Sequence, residues 1–200
     1  MSTRLPEPIA ARLRLPLIAA PMFLVSGIEM VAAQCESGVI GAFPSYNART
    51  PEILDEWLGE LARRFQGRTA APWAVNLNSH RTNPRLAPDL AVCVKHRAPI
   101  VITALGGPQA VVGPVHEYGG LVLADVNSPE YARKAAQAGA DGLVLVCTGA
   151  GGHTGTMAAP AFVAAVREFF DGIVVVAGGI SDGAALRAAQ IMGADLAYMG

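Results

Sequence analysis

The stretch "CTGAGGHTGT" (Cys147–Thr156) surrounds one histidine, His153, with Gly149, Gly151, Gly152 and Gly155, directly after the apolar run "DGLVLV" (Asp141–Val146). Glycine lets backbone come close to a ligand or adopt positive φ. Imidazole titrates near neutral pH and can hold or remove a proton. Together they read as a loop that presents a base beside a flat ligand; the bland alternative is a loop histidine bonded to backbone. Two further glycine sites are "VAGGIS" (Val176–Ser181), where Gly178 and Gly179 feed a helix expected to start near Ser181, and "YMG", which ends in Gly200. Glycine-rich backbone next to a helix N-terminus forms a nest for anions, phosphate above all. The alternative is that these glycines only make tight turns.

Three more positions could meet a ligand. "APMF" (Ala20–Phe23) puts Pro21 and Met22 at the end of an apolar run, and methionine is soft enough to lie against a flat aromatic ring or to fill a core. Asn76 closes "WAVNL"; its amide could donate and accept at a heterocycle edge, or tie down a loop. Asp125, near the end of "GLVLADV", either caps the next segment or contacts a ligand. The other histidines carry less. His80 lies in the polar loop "NSHRTNPR" and is a secondary candidate for the mouth, His96 falls at the solvated end of a helix, and His116 reads as structural. No His/Cys/Asp cluster has metal spacing. "GxSxG" is absent and Ser181 has no evident partner base. No "GxGxxG" follows the first strand, which argues against a classical dinucleotide fold.

These residues need a scaffold that gathers strand ends on one face. Apolar runs of strand length, bounded by Gly, Pro or Asn, occur at 16–20, 38–43, 73–77, 99–105, 120–126, 141–146, 172–180 and 194–200. They are rich in Val, Ile and Leu without strict alternation, as parallel strands covered on both faces should be. Helical patterns lie at 27–37, 50–66, 128–140, 159–170 and 181–194. The second opens with Thr50 as cap and Pro51 at the first position, and closes with Arg63, Arg64 and Gly67. Repeated strand–helix–strand units imply right-handed crossovers and a parallel sheet. Eight strands, with glycine loops at the C-terminal ends of several of them, predict one domain over 1–200 folded as a (β/α)8 TIM barrel, with an open doubly wound sheet as the rival. In barrels a phosphate commonly sits on the loops after strands seven and eight, where Gly178, Gly179 and Gly200 fall. The sequence reads as cut short after the eighth strand, without the helix that would cover it.

Composition agrees with a buried parallel sheet: 52% of residues are hydrophobic and 16% charged. A net charge of −1 gives no electrostatic grip on nucleic acid or anionic membrane. No apolar run is long enough to span a bilayer, and the N-terminus "MSTRLPEPIAARLRLP" lacks the apolar region of a signal peptide. Three dispersed cysteines, Cys35, Cys93 and Cys147, fit neither a disulfide framework nor a metal knuckle. A reducing, cytoplasmic setting is the simplest reading.

With "APM", "WAVNL", "GAGGHTG", "VVAGGISDG" and "GADLAYMG" in this order, the chain resembles the nitronate monooxygenases, or 2-nitropropane dioxygenases, from about Leu15 to Gly200. The resemblance implies an FMN-dependent TIM barrel with the cofactor across the mouth. Ala20, Pro21, Met22 and Asn76 would border the isoalloxazine, and Ala150 and Gly151 the ribityl chain. Gly178, Gly179 and Gly200 would give N–H groups to the phosphate. His153 would act as base or orient the substrate. Some members place Lys at the end of strand five; here it is Asp125, which would bond a ribityl hydroxyl or point away. The family usually continues past "YMG" with Thr-Arg-Phe and a helical tail. The implied reaction converts a nitronate and O2 into a carbonyl compound and nitrite, with no nucleic-acid or membrane partner. The pattern is shared with a flavin-dependent enoyl-ACP reductase using NAD(P)H. Two further alternatives are an inactive fragment, or a subunit that pairs as a homodimer through an uncovered apolar flank, and a different phosphate-binding barrel such as an isomerase or aldolase.

Overall fold

The computed structural model describes residues 4–200; Met1–Thr3, the start of the segment read above for a leader, lie outside the described residues. Eight parallel strands close into a barrel in sequence order: β1 Leu17–Ala19, β2 Ile40–Pro44, β3 Trp73–Asn78, β4 Ile100–Ala104, β5 Leu121–Val126, β6 Gly142–Val146, β7 Ile173–Ala177 and β8 Leu196–Met199. The doubly wound alternative is thereby excluded: β1 pairs with both β2 and β8. A short helix, α1 (Glu7–Ala10), precedes the barrel. Seven helices follow β1 to β7: α2 Ile28–Ser37, α3 Pro51–Phe65, α4 Leu86–Lys95, α5 Gln109–His116, α6 Pro129–Gln137, α7 Ala159–Arg167 and α8 Gly183–Ile191.

Successive strand residues point alternately into the barrel and out to the helices. Ile18, Ile40, Ala42, Ala74, Ile100, Ile102, Leu123, Val144, Ile173, Val175 and Leu196 form one buried cluster inside. Leu5 with partly buried Ile9, Ala10 and Leu13 joins this cluster, so α1 and its flanks plug the N-terminal end. Outward residues pack against α2–α5 on one side and α6–α8 on the other. Leu17 and Ala197, which point outward from the closing strands, are buried. Partly buried Met192 and Met199 pack against the cluster that Leu17 and Ala197 belong to, while Leu15 before β1, Met30 on α2 and Ile191 on α8 are exposed.

Caps fall largely where the sequence put them. Thr50 Oγ1 accepts from Ile53 N, and Ser128 Oγ accepts from Tyr131 N. At α8, expected to start near Ser181, the cap is Asp182, which accepts from Ala185 N. The helical patterns missed α5 and left α4 implied only by the helix assigned to His96; in α5 the Gly113-Pro114 pair reads as a breaker. Val111 and Val115, four residues apart on one face and both fully buried, hold it helical. His96 is not at a solvated end: it is half-buried and Asp55 Oδ1 lies 2.6 Å from its Nε2.

Two "GAD" aspartates fix strand register at the end away from the mouth. Asp141 Oδ2 accepts from Val122 N (2.7 Å) and meets His116 Nε2 (2.8 Å). Asp195, buried, accepts from Val174 N (2.9 Å), Arg167 Nη2 (2.7 Å) and Arg4 N (3.0 Å). His116 thus has the structural role expected of it.

Candidate active site

The barrel gathers the candidate residues on one face. Ala20, Pro21 and Met22 follow β1, Asn76 and Asp125 lie on the C-terminal halves of β3 and β5, and Ala150, Gly151 and His153 follow β6. Gly178 and Gly179 follow β7, and Gly200 follows β8. Parallel strands place all of these ends at the same mouth.

The glycines of the β6 and β7 loops have two jobs. Gly178 has φ +126°, and a Cβ there would stand 2.9 Å from Thr148 O and 3.0 Å from Ala150 N. Gly179 N donates to Gly149 O (3.2 Å), and Gly149 and Gly179 both have positive φ. The two loops are therefore welded along backbone, and a side chain at Gly178 would part them; at Gly149 and Gly179 it is the positive φ, not space, that favours glycine. Gly155 is required for a second reason: its Cβ would lie 2.0 Å from Val146 O. The loop is closed on itself by Thr148 N to Met157 O (2.9 Å) and Thr154 Oγ1 to Cys147 O (3.2 Å). At its tip Gly151 and Gly152 face open space, and His153 is exposed and makes no hydrogen bond to a described residue. The bland reading, an imidazole tied to backbone, does not hold.

Beyond the welded loops, the amides of Ile180, Ser181 and Gly200 make no backbone hydrogen bond among the described residues. They form an open set of donors beside the N-terminus of α8. A Cβ on Gly200 would lie 3.8 Å from Met22 Sδ, so the β1 and β8 ends adjoin. Met22 is fixed by a network absent from the sequence reading. Asn47, after β2, donates through Nδ2 to Met22 O (3.0 Å) and Ser26 O (2.8 Å), and accepts from Leu24 N (2.9 Å). Ser26 Oγ accepts from Met22 N (2.9 Å). This holds Leu24 at φ +63°, a left-handed conformation that costs a leucine roughly 1–2 kcal/mol. The loop presents Phe23, Leu24 and Val25 to solvent, and Leu105, after β4, is exposed too.

Asn76 makes no side-chain hydrogen bond to a described residue. The loop it was a candidate to tie down is held instead by Asn78 and Asn83: Asn83 Nδ2 donates to Asn78 O (2.7 Å) and His80 N to Asn78 Oδ1 (3.0 Å). His80, Tyr46, Asn78, Asn83 and Leu105 line a cleft of about 390 Å³ on this side of the mouth.

Asp125 caps nothing, since Ser128 caps α6. Its Oδ1 is a buried atom without a partner among the described residues, and so is Tyr198 Oη. Burial pushes the Asp125 carboxyl up from 3.8 to about 7. Burial, and then the nearby Asp125 carboxylate, push the Tyr198 phenol well above its ordinary value. Tyr198 was not singled out in the sequence, where it sits inside "YMG". The signal is its two-step spacing from Leu196, an inward residue of β8.

The sequence model of the family described as nitronate monooxygenase matches residues 9–200. A nitronate monooxygenase of Paraburkholderia phytofirmans is 30% identical, covering 92% of this chain and 62% of that protein. A (3aS,4S,5R,7aS)-5-hydroxy-7a-methyl-1-oxo-octahydro-1H-indene-4-carboxyl-CoA dehydrogenase of Mycobacterium tuberculosis is 27% identical, covering 92% of this chain and 51% of that one. FabK from Thermotoga maritima superposes with a TM-score of 0.87 at 27% identity, covering 100% of this chain and 61% of that one. The chain spans about half the length of the Mycobacterium tuberculosis relative and less than two thirds of the Paraburkholderia one.

Proposed function

The chain belongs to the nitronate monooxygenase family, and from that premise and the geometry of its mouth we propose a flavin-dependent oxidoreductase in which residues 1–200 form a single FMN-binding barrel. The observation that carries this reading is the backbone weld between the β6 and β7 glycine loops, with open amides on one side and the free His153 on the other. The residues fit the cofactor. The phosphate would rest on the amides of Ile180, Ser181 and Gly200, with Gly178 and Gly179 allowing close approach. Asp182 takes one amide of α8 for itself, so the loop amides, rather than the helix turn, would do most of the holding. Ala150 and Gly151 would border the ribityl chain, and Ala20, Pro21, Met22 and Asn76 the ring. The orphaned Asp125 Oδ1 and Tyr198 Oη at the floor are the kind of buried polar atoms that a ligand completes.

Bound FMN would supply the one-electron chemistry that no side chain here can. The protein's own part is to hold a nitronate and O2 together, with the β1 loop locked by Asn47 at one edge of the site. His153 would hold the nitronate anion or remove the proton from the carbon bearing the nitro group of a neutral nitroalkane. Two nitronates would share one O2, each carbonyl oxygen coming from it as the C–N bond breaks, so that two carbonyl compounds and two nitrites account for every atom.

A second reading, reduction of a thioester-linked double bond with NAD(P)H, is favoured by the apolar rim of Phe23, Leu24, Val25 and Leu105. An acyl chain would use such a surface; a small nitronate would not. One experiment separates them. Flavin bands in the visible spectrum, with FMN released on heating, are expected. Nitronate-dependent O2 uptake with nitrite release supports the first reading, and flavin bleaching by NAD(P)H with acyl-thioester turnover the second. A colourless protein that stays colourless with added FMN would sink both.

A further inference from the structure

β5 and β8 are separated by β6 and β7 in the closed barrel, so Asp125 and Tyr198 can influence one another only across the interior. Each lies two residues beyond an inward, buried neighbour, Leu123 and Leu196. They occupy the layer above the apolar fill, at its C-terminal end. The same two-residue step places Ala20, Pro44, Asn76, Ala104, Val146 and Ala177 in that layer. None of these is charged. The pair is thus the titratable part of an otherwise neutral floor, below the exposed His153, His80 and Asp182 of the mouth loops.

Two buried polar atoms without partners are costly to leave unpaired. A protonated carboxyl and a phenol both present O–H donors. An anion would not be read well here, because ionised Asp125 repels it. A neutral acceptor would be.

We propose that Asp125 and Tyr198 form a paired hydrogen-bond donor site that reads an acceptor edge, a carbonyl oxygen or an unprotonated ring nitrogen, of a flat heterocycle lying across the mouth. The inference rests on the flavin reading above, since the isoalloxazine carries such an edge. It gives ligand binding a pH dependence belonging to these two residues: the donor is lost, and an acceptor opposed, once Asp125 ionises.

The test is FMN binding, followed by quenching of its fluorescence, from pH 6 to 9 in wild type, Asp125→Asn and Tyr198→Phe, with folding checked by circular dichroism. FMN's own titration is common to all three and cancels in their ratios. The wild-type Kd should rise about tenfold per pH unit above about pH 7, relative to Asp125→Asn, which keeps a donor and cannot ionise. By pH 9 the variant should bind about 100-fold more tightly than wild type. Tyr198→Phe should bind several-fold more weakly at pH 6 and keep the wild-type slope; that comparison decides the matter if Asp125→Asn fails to fold. FMN binding with Kd ratios independent of pH, and unaffected by Tyr198→Phe, would overturn the donor pair and leave the flavin site standing. No FMN binding at any pH would overturn both.

Discussion

Replacing Asp125 by Asn should change how the stability of the unliganded protein depends on pH, and the sign follows from burial. The Asp125 carboxyl rises from 3.8 in the open chain to about 7 in the fold. Between those values the folded state holds a proton that the unfolded state has released, so stability falls as pH rises, by about 1.4 kcal/mol per unit. This contribution is fully present below 3.8 and lost once pH passes about 7. The whole interval corresponds to about 4 kcal/mol. The residue as a whole is only half-buried, so solvent screens part of it; about 2 kcal/mol is a working figure. Asn is nearly isosteric and always neutral. The two proteins should therefore have similar urea midpoints near pH 4, and the variant should become the more stable one by about 2 kcal/mol at pH 8. All other carboxylates and histidines titrate in both proteins and drop out of the difference. Urea unfolding followed by circular dichroism at pH 4, 5, 6, 7 and 8 measures it. Parallel curves, or a variant less stable at pH 8, would refute the assignment of Asp125 as a buried, unpartnered acid.

Asp195→Ala leaves Arg167 and Val174 N without their shared partner; a loss of about 3–5 kcal/mol is expected in urea unfolding, and a loss under 1 kcal/mol would mean the clamp is dispensable. Gly178→Ala imposes a Cβ 2.9 Å from Thr148 O at φ +126°. It should cost about 1–3 kcal/mol and at least tenfold in FMN affinity by fluorescence titration; unchanged affinity would detach the welded loops from phosphate binding. His153→Ala should leave the melting temperature unchanged, because the side chain is exposed and makes no hydrogen bond to a described residue. It should lower turnover about 10²–10⁴-fold if the imidazole moves a proton, whereas an unchanged kcat with a raised KM would leave it only the role of orienting the anion.

Much of this fold is legible in the sequence because a parallel barrel writes itself in a simple code. Each strand is buried on both faces, so each appears as an unbroken apolar run, and all eight runs overlap the observed strands. Helix α5 was illegible because its local chemistry, Gly113-Pro114, contradicts a helix that buried Val111 and Val115 enforce from tertiary packing. The mouth was legible as far as residue type advertises chemistry: glycines and a histidine at strand ends. What stayed hidden is of two kinds. Asn47 acts across 21–25 residues on the β1 loop, and a lone asparagine after a strand carries no mark of what it holds. Tyr198 looks like an aromatic filling a strand, and only closure of the barrel sets it across from Asp125. That closure also decides between the open readings of Asp125. A carboxylate at a strand end can cap the next helix, but Ser128 already does so, and the inward side of β5 leaves the acid in an uncharged layer whose other polar side chains are Asn76 and Tyr198. An acid so placed has no structural task among the described residues. On the reading proposed above, the cost of burying its Oδ1 is met by something that enters the mouth.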